Sequence, residues 1–274
     1  MLIDTHCHLD AAEFNADREE VAAQAKNAGV QMIVIPAVEP KNFQNVIKLS
    51  AQHPHCCYAL GMHPMYVQNA SPSHIKALGE LVEQILSGEN KLVAIGEIGL
   101  DFFVSQSNQQ ENRETQEYFF AEQLKIAKQF DLPVILHVRR AVDEVLKHLR
   151  RTKVRGGIAH AFNGSSQQAQ EFIKLGFKLG FGGAMTYSRA LKIRELAKTL
   201  TLEAIVLETD APDIPPEWLG TKGRNQPKEL IRIAQVLADL RGIPLSQIIE
   251  ITGKNSVTIL PKLAALCTSL EALH

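Results

Sequence analysis

Several features are scarce in this 274-residue chain, and each scarcity removes a class of protein. Charge imbalance is almost absent: 29 Lys and Arg meet 30 Asp and Glu, so the chain lacks the global basic footprint of a dedicated nucleic-acid binder. Any phosphate recognition must be local. No apolar run approaches the ~18 residues of a membrane span, and the chain opens almost directly on the strand-like Leu2-Ile3-Asp4-Thr5-His6, so no secretory leader is expected. Cysteine is sparse: Cys7, the adjacent Cys56 and Cys57, and Cys267 form neither a CxxC motif nor a disulfide-like spacing, so a reduced, cytoplasmic protein is expected. A glycine-rich phosphate loop after an early strand is missing too, and Gly180-Phe181-Gly182-Gly183 lacks the spacing of a dinucleotide fingerprint. Aromatic residues do not gather into a clear stacking platform, which weighs against a tight single-strand binder. No low-complexity segment or linker interrupts the chain.

What is present is regular. A hydrophobic content of 45% over this length can bury one large core but hardly two independent α/β domains, so residues 1–274 are read as a single domain. Short β-type runs at 2–6, 31–37, 56–63, 92–97, 133–137, 157–160, 177–182 and 204–208 alternate with amphipathic stretches. Ser71-Pro72 opens the third helix, while Gly29 and Gly176 close the first and sixth. Eight βα units in about 250 residues predict a (β/α)8 TIM barrel in preference to a doubly wound sheet. Residues from about 227 to 260 read as two terminal helices broken at Ile243-Pro244.

A barrel builds its active site at the C-terminal ends of its strands. His6 and His8 lie two apart in an extended segment, so both side chains point to one side, into the barrel mouth, and Cys7 points away. Glu97, His137 and His160 each end an apolar run, and Asp210 follows another. Singly, each residue has a plain reading as a capping acid, a core histidine or a turn residue. Six ligand-type residues at five of eight strand ends are a different matter. Closed structural zinc sites favour cysteine, which this set lacks, and six ligands exceed what one tetrahedral ion needs. Two divalent ions are therefore expected, with the Glu97 carboxylate bridging them. His6, His8 and Asp210 are assigned to one ion, and His137 and His160 to the other. A water shared by the ions becomes the nucleophile, and Asp210 orients it or accepts its proton. Glu97 and Asp210 are thus the catalytic pair of a metal-assisted hydrolase. The mixed nitrogen and oxygen set does not choose among Mg2+, Mn2+ and Zn2+.

The same residues resemble those of a known family, the TatD-type metal-dependent hydrolases, often described as deoxyribonucleases, among the amidohydrolase-like barrels. The likeness covers Ile3-Asp4-Thr5-His6-Cys7-His8-Leu9-Asp10, Gly61-Met62-His63-Pro64, Gly96-Glu97-Ile98-Gly99-Leu100-Asp101, Leu132 to His137, His160-Ala161-Phe162-Asn163-Gly164-Ser165 and Leu207 to Pro212. The stretch from Gly176 through Asp213 is most similar to the YjjV branch. The resemblance implies a barrel, a binuclear centre on His6, His8, Glu97, His137, His160 and Asp210, and hydrolysis of phosphodiester bonds in DNA. The chain departs from the family at Asn163, where serine or threonine is common, and keeps the Asn-x-Pro pattern only loosely in Arg224-Asn225-Gln226-Pro227.

Weaker candidates surround this set. His63 and Arg139 are expected to bind substrate, the first by donating to a phosphate and the second as a bidentate clamp; Asn225 is carried with them. Asp101 and Glu208 suit positions that orient imidazoles. Tyr187, Arg189, Lys222 and Arg224 could track a nucleic-acid backbone. DNA is the expected substrate; the alternative is a small phosphoester, lactone or amide, because the same activated water attacks carbonyl carbon and phosphorus alike. No protein partner is inferable, and a monomer is the working expectation.

Overall fold

A computed structural model describes residues 1–103 and 109–271. Eight parallel strands follow one another in strict sequence order: β1 (Leu2–Asp4), β2 (Val30–Pro36), β3 (Cys56–Leu60), β4 (Leu92–Asp101), β5 (Val134–Arg139), β6 (Gly157–Ala159), β7 (Phe177–Phe181) and β8 (Ile205–Leu207). The helices between them are α1 (Arg18–Asn27), α2 (Phe43–Gln52), α3 (Pro72–Leu86), α4 (Gln109–Gln129), α5 (Val142–Arg151), α6 (Ser166–Lys174) and α7 (Leu191–Thr199). After β8 come α8 (Leu230–Arg241), α9 (Leu245–Ile259) and α10 (Lys262–Glu271). The fold is a TIM barrel.

Local chemistry accounts for the helix boundaries. Pro72 occupies the first turn of α3, where its missing N–H costs nothing. Ser165 caps α6 by accepting from the Gln168 N–H, and Gly176 leaves the helix at φ 86°, which a Cβ would disfavour.

Strand alternation sorts the apolar side chains into two cores. Ile3, Met32, Val34, Ala59, Val93, Ile135, Ile158 and Val206 fill the barrel interior, while their sequence neighbours pack under the helices. The bottom of the barrel is plugged by Leu260, Leu263 and Cys267. The plug extends into α10, a helix beyond the two terminal helices expected from the sequence.

Among the described residues, β8 and β1 share no ladder, and the barrel closes through an isolated parallel bridge between Cys7 and Ala211 and the hydrogen bonds around it. Thr5 N–H donates to Leu207 O at 3.1 Å, His8 N–H to Ala211 O at 2.8 Å and Asp210 N–H to His6 O at 2.8 Å. The Asp4 carboxylate reinforces the seam by accepting from Thr209 N–H at 2.9 Å and Thr209 Oγ1 at 2.6 Å. Among the described residues, no helix is long and apolar enough to cross a membrane.

Candidate metal centre

Glu97 lies inside β4 rather than at its end. Between Ile95 and Ile98 the strand advances three residues while β5 advances only from Val134 to Leu136, so β4 carries one extra residue at this point. Such a bulge re-aims a side chain. It leaves Glu97 buried, with its carboxylate facing five imidazoles.

The two carboxylate oxygens face different groups. Oε2 is 3.2 Å from His6 Nε2 and 3.5 Å from His8 Nε2. Oε1 is 2.9 Å from His137 Nδ1, 2.9 Å from His160 Nε2 and 3.3 Å from His63 Nε2. Asp210 closes the first group, with Oδ1 3.5 Å from His6 Nε2 and 3.7 Å from His8 Nε2. The His160 ring stacks on His6 at 3.9 Å between centroids, so His160 stands where the two groups meet. The structure thus brings together all six residues that the sequence reading singled out.

Hydrogen bonds around the cluster set how each ring can act. His137 Nε2 donates to Asp101 Oδ2 at 3.0 Å, which leaves Nδ1 facing Glu97. His63 has the opposite constraint: its Nδ1 accepts the Met65 N–H at 3.1 Å, so the neutral ring carries its proton on Nε2 and presents a donor to the cluster. Glu208 sits 3.8 Å from His160 Nδ1 and accepts from the Ala161 N–H. Its carboxylate occupies space that only glycine leaves free, because a Cβ on Gly180 would fall 2.1 Å from Glu208 Oε2.

Two residues that the sequence reading overlooked fix the backbone beneath these rings. Gln123 clamps Met62 by accepting from its N–H at 2.6 Å and donating to its carbonyl at 3.1 Å. Gln116 clamps Asp101 in the same way at 2.8 and 3.1 Å. The pair lies seven residues apart on one face of α4. That spacing was the available signal, since buried amides at two-turn intervals on a core-facing helix need partners.

Other candidates fall elsewhere. Asn225 does not meet the expectation of substrate binding: it is fully buried, its amide donates to the carbonyls of Thr209, Asp213 and Ile214, and its Oδ1 accepts from Gln226 N–H. It shapes the loop after β8 and has no free atom. His63 is buried against Glu97 rather than lying on the rim. Arg139 is half-exposed at the mouth, its Nη1 3.9 Å from Asp101 Oδ2. Arg224 is committed to a paired contact with Asp17 and to the Glu13 carbonyl, so it does not track a ligand here. Tyr187 donates to the Pro215 carbonyl at 3.0 Å.

Burial and mutual contact shift the titrations. Burial alone would raise Glu97, but the imidazoles of His63, His160 and His6 outweigh it and hold the carboxyl well below the usual range. Burial lowers His8 and His160, yet Glu97 and Asp210 prevail and lift them to about 9 and about 10. Asp210 is raised by its burial. Metal-free, the cluster therefore retains protons that a cation would displace. Three donor sets, His6/His8/Glu97, His6/His160/Asp210 and His63/Glu97/His137, each have their ligand atoms within 4.8 Å of one another. The separations of 3.2 to 3.7 Å among the donor atoms of His6, His8, Glu97 and Asp210 suit an ion bound at ~2.0–2.2 Å. Imidazole and carboxylate without thiolate is a donor set for divalent cations.

Comparison with known proteins agrees with this chemistry. A family model described as TatD related DNase matches residues 3–261. The chain belongs to the TatD-related DNase family. Within it, the chain is 41% identical to the metal-dependent hydrolase YjjV of Escherichia coli strain K12, over 94% of this chain and 96% of YjjV. The crystal structure of that TatD homologue superposes with a TM-score of 0.88, covering 95% of this chain and 98% of the other. A human TatD relative, deoxyribonuclease TATDN3, is 32% identical over 97% of this chain and 96% of its own length. As a TatD-family member, the chain is a metal-dependent hydrolase.

Proposed function

We propose that residues 1–274 form one catalytic domain that hydrolyses phosphodiester bonds in DNA at a binuclear divalent-metal centre. The observation that carries this reading is the division of the Glu97 carboxylate, with Oε2 toward His6 and His8 and Oε1 toward His137 and His160. Glu97 would bridge two ions, His6, His8 and Asp210 would hold one, and His137 and His160 the other. Such a pair of ions, of Mg2+, Mn2+ or Zn2+, supplies Lewis acidity and a nucleophilic water near neutral pH.

The chain's own residues supply the rest. Asp210, whose Oδ1 lies 3.5 Å from His6 Nε2 and 3.7 Å from His8 Nε2, is placed to take the proton of the attacking water. His63, with its proton held on Nε2, is suited to donate to a phosphoryl oxygen rather than to ligate an ion. Arg139 at the mouth offers a charged fork to a neighbouring phosphate. Asp101 keeps His137 in the orientation that directs Nδ1 inward.

DNA as substrate is supported by the family's description and by the name of the human relative. A small phosphoester, lactone or amide is the second reading, favoured by a net charge of only −1. The test uses metal-stripped protein resupplied with Mg2+, Mn2+ or Zn2+, on end-labelled single-stranded DNA alongside simple phosphodiester and lactone substrates. Metal-dependent shortening of the DNA that Glu97→Ala lacks is the expected result. Turnover of the small substrates alone would overturn DNA as substrate and leave the centre in place.

A further inference from the structure

The mouth of the barrel carries an apolar surface that the hydrolytic centre does not use. Among the described residues, six large hydrophobic side chains are exposed, and three of them, Met65, Tyr66 and Phe103, lie on the neighbouring exits of β3 and β4. The ring of Phe103 is flanked by two guanidinium groups, Arg139 at 3.8 Å and Arg140 at 4.5 Å from its centroid. Side chains of consecutive residues in a strand point to opposite faces. Here the chain turns at Arg140, whose φ of 54° is a conformation arginine rarely adopts, and both arginines reach one ring.

This assembly is tied directly to the centre. Phe103 N–H donates to Asp101 Oδ1 at 2.9 Å, and the other oxygen of the same carboxylate accepts from His137 Nε2 at 3.0 Å and faces Arg139 Nη1 at 3.9 Å. One side chain therefore positions the ring, the arginine and a candidate ligand.

We propose that Phe103, with Arg139 and Arg140, is a stacking platform for the unpaired nucleobase adjoining the phosphodiester that enters the centre. The proposal rests on the reading of the protein as a DNA hydrolase. Single-stranded bases stack on aromatic rings and on guanidinium planes irrespective of sequence, so the ring with its stacked arginines forms one platform, while the guanidinium N–H groups at its edge can meet backbone phosphates. The occupant is a base and not an apolar peptide because the ring carries two guanidinium groups and is joined through Asp101 to His137 of the centre. A duplex end presents its bases already stacked, so the platform favours a single strand.

The test uses short single strands carrying a fluorescent adenine analogue at either end. Stacking on the platform quenches the analogue when metal-stripped wild-type protein binds. Phe103→Ala should abolish the quenching and weaken binding about tenfold; with metal restored, its KM for the strand should rise by a similar factor at little cost to kcat. Phe103→Trp should restore both. If the wild type neither quenches nor, metal-loaded, cleaves DNA, the DNA reading fails and the platform with it. If the wild type cleaves DNA but gives no quenching, or Phe103→Ala keeps quenching and KM unchanged, the platform is wrong and the DNA reading stands.

Discussion

Asp210 adopts φ 57°, in the left-handed region that aspartate tolerates better than most residues, and this turn directs its carboxylate back over His6 and His8. Asp210→Asn keeps the shape and removes the proposed base. Turnover should fall by at least about a hundredfold while metal binding is partly retained, and an active Asp210→Asn enzyme would refute the assigned role. His63 separates donor from ligand more sharply. His63→Ala should lower kcat about a hundredfold with the metal content measured by mass spectrometry unchanged; loss of an ion would make His63 a ligand after all. His6, His8, His137, His160 and Asp210 were legible in the sequence because each follows a run that reads as a strand, and strand ends converge in a barrel. The commitment of His63 Nδ1 to a backbone N–H two residues on left no such mark, since an imidazole's tautomer depends on its surroundings.

Among the elements, β4 and α4 determine how well the centre is aligned. The extra residue in β4 turns Glu97 inward, and the paired amides of α4 hold the exits of β3 and β4. Removing one amide strands a buried N–H. Gln123→Leu should therefore destabilise the fold by ~1–3 kcal/mol in urea titrations, and it should lower kcat by displacing Met62 and with it His63. A variant that lost stability but kept full activity would show that the clamp serves the fold alone. Strand positions could be read from apolar runs, but β4 was expected to stop at Glu97 and in fact continues to Asp101. A bulge depends on the register with β5, which one strand's sequence does not carry. Gln116 and Gln123 likewise read as ordinary helix polarity until their partners are known, and Asn225, carried as a substrate contact on its loose match to the family's Asn-x-Pro pattern, spends its amide within the loop after β8.

Over the whole molecule, the cluster makes stability depend on pH and metal together. Burial lifts Asp4 to about 7 and Glu208 to about 8. Against burial, Glu97 lifts His8 to about 9 and His160 to about 10. A group whose folded pKa exceeds its unfolded value contributes stability at low pH and loses it as pH rises through the folded value. Burial holds His6 and His63 low, which has the opposite sign, but that contribution is complete once the unfolded imidazoles lose their protons near pH ~6.5. Between pH ~6.5 and ~10 the melting temperature of metal-stripped protein should therefore fall. Divalent ions should suppress the fall by replacing the protons, and a rise in the metal-free protein over that range would contradict the arrangement of charges. The proposed hydrolysis depends on Glu97 holding two ions with one carboxylate. The most direct measurement is the number of divalent ions bound per chain, by calorimetric titration checked by elemental analysis, in the wild type and in Glu97→Ala. Two ions in the wild type and at most one in the variant is the predicted result; one ion in the wild type, or two retained without Glu97, would contradict the bridged centre.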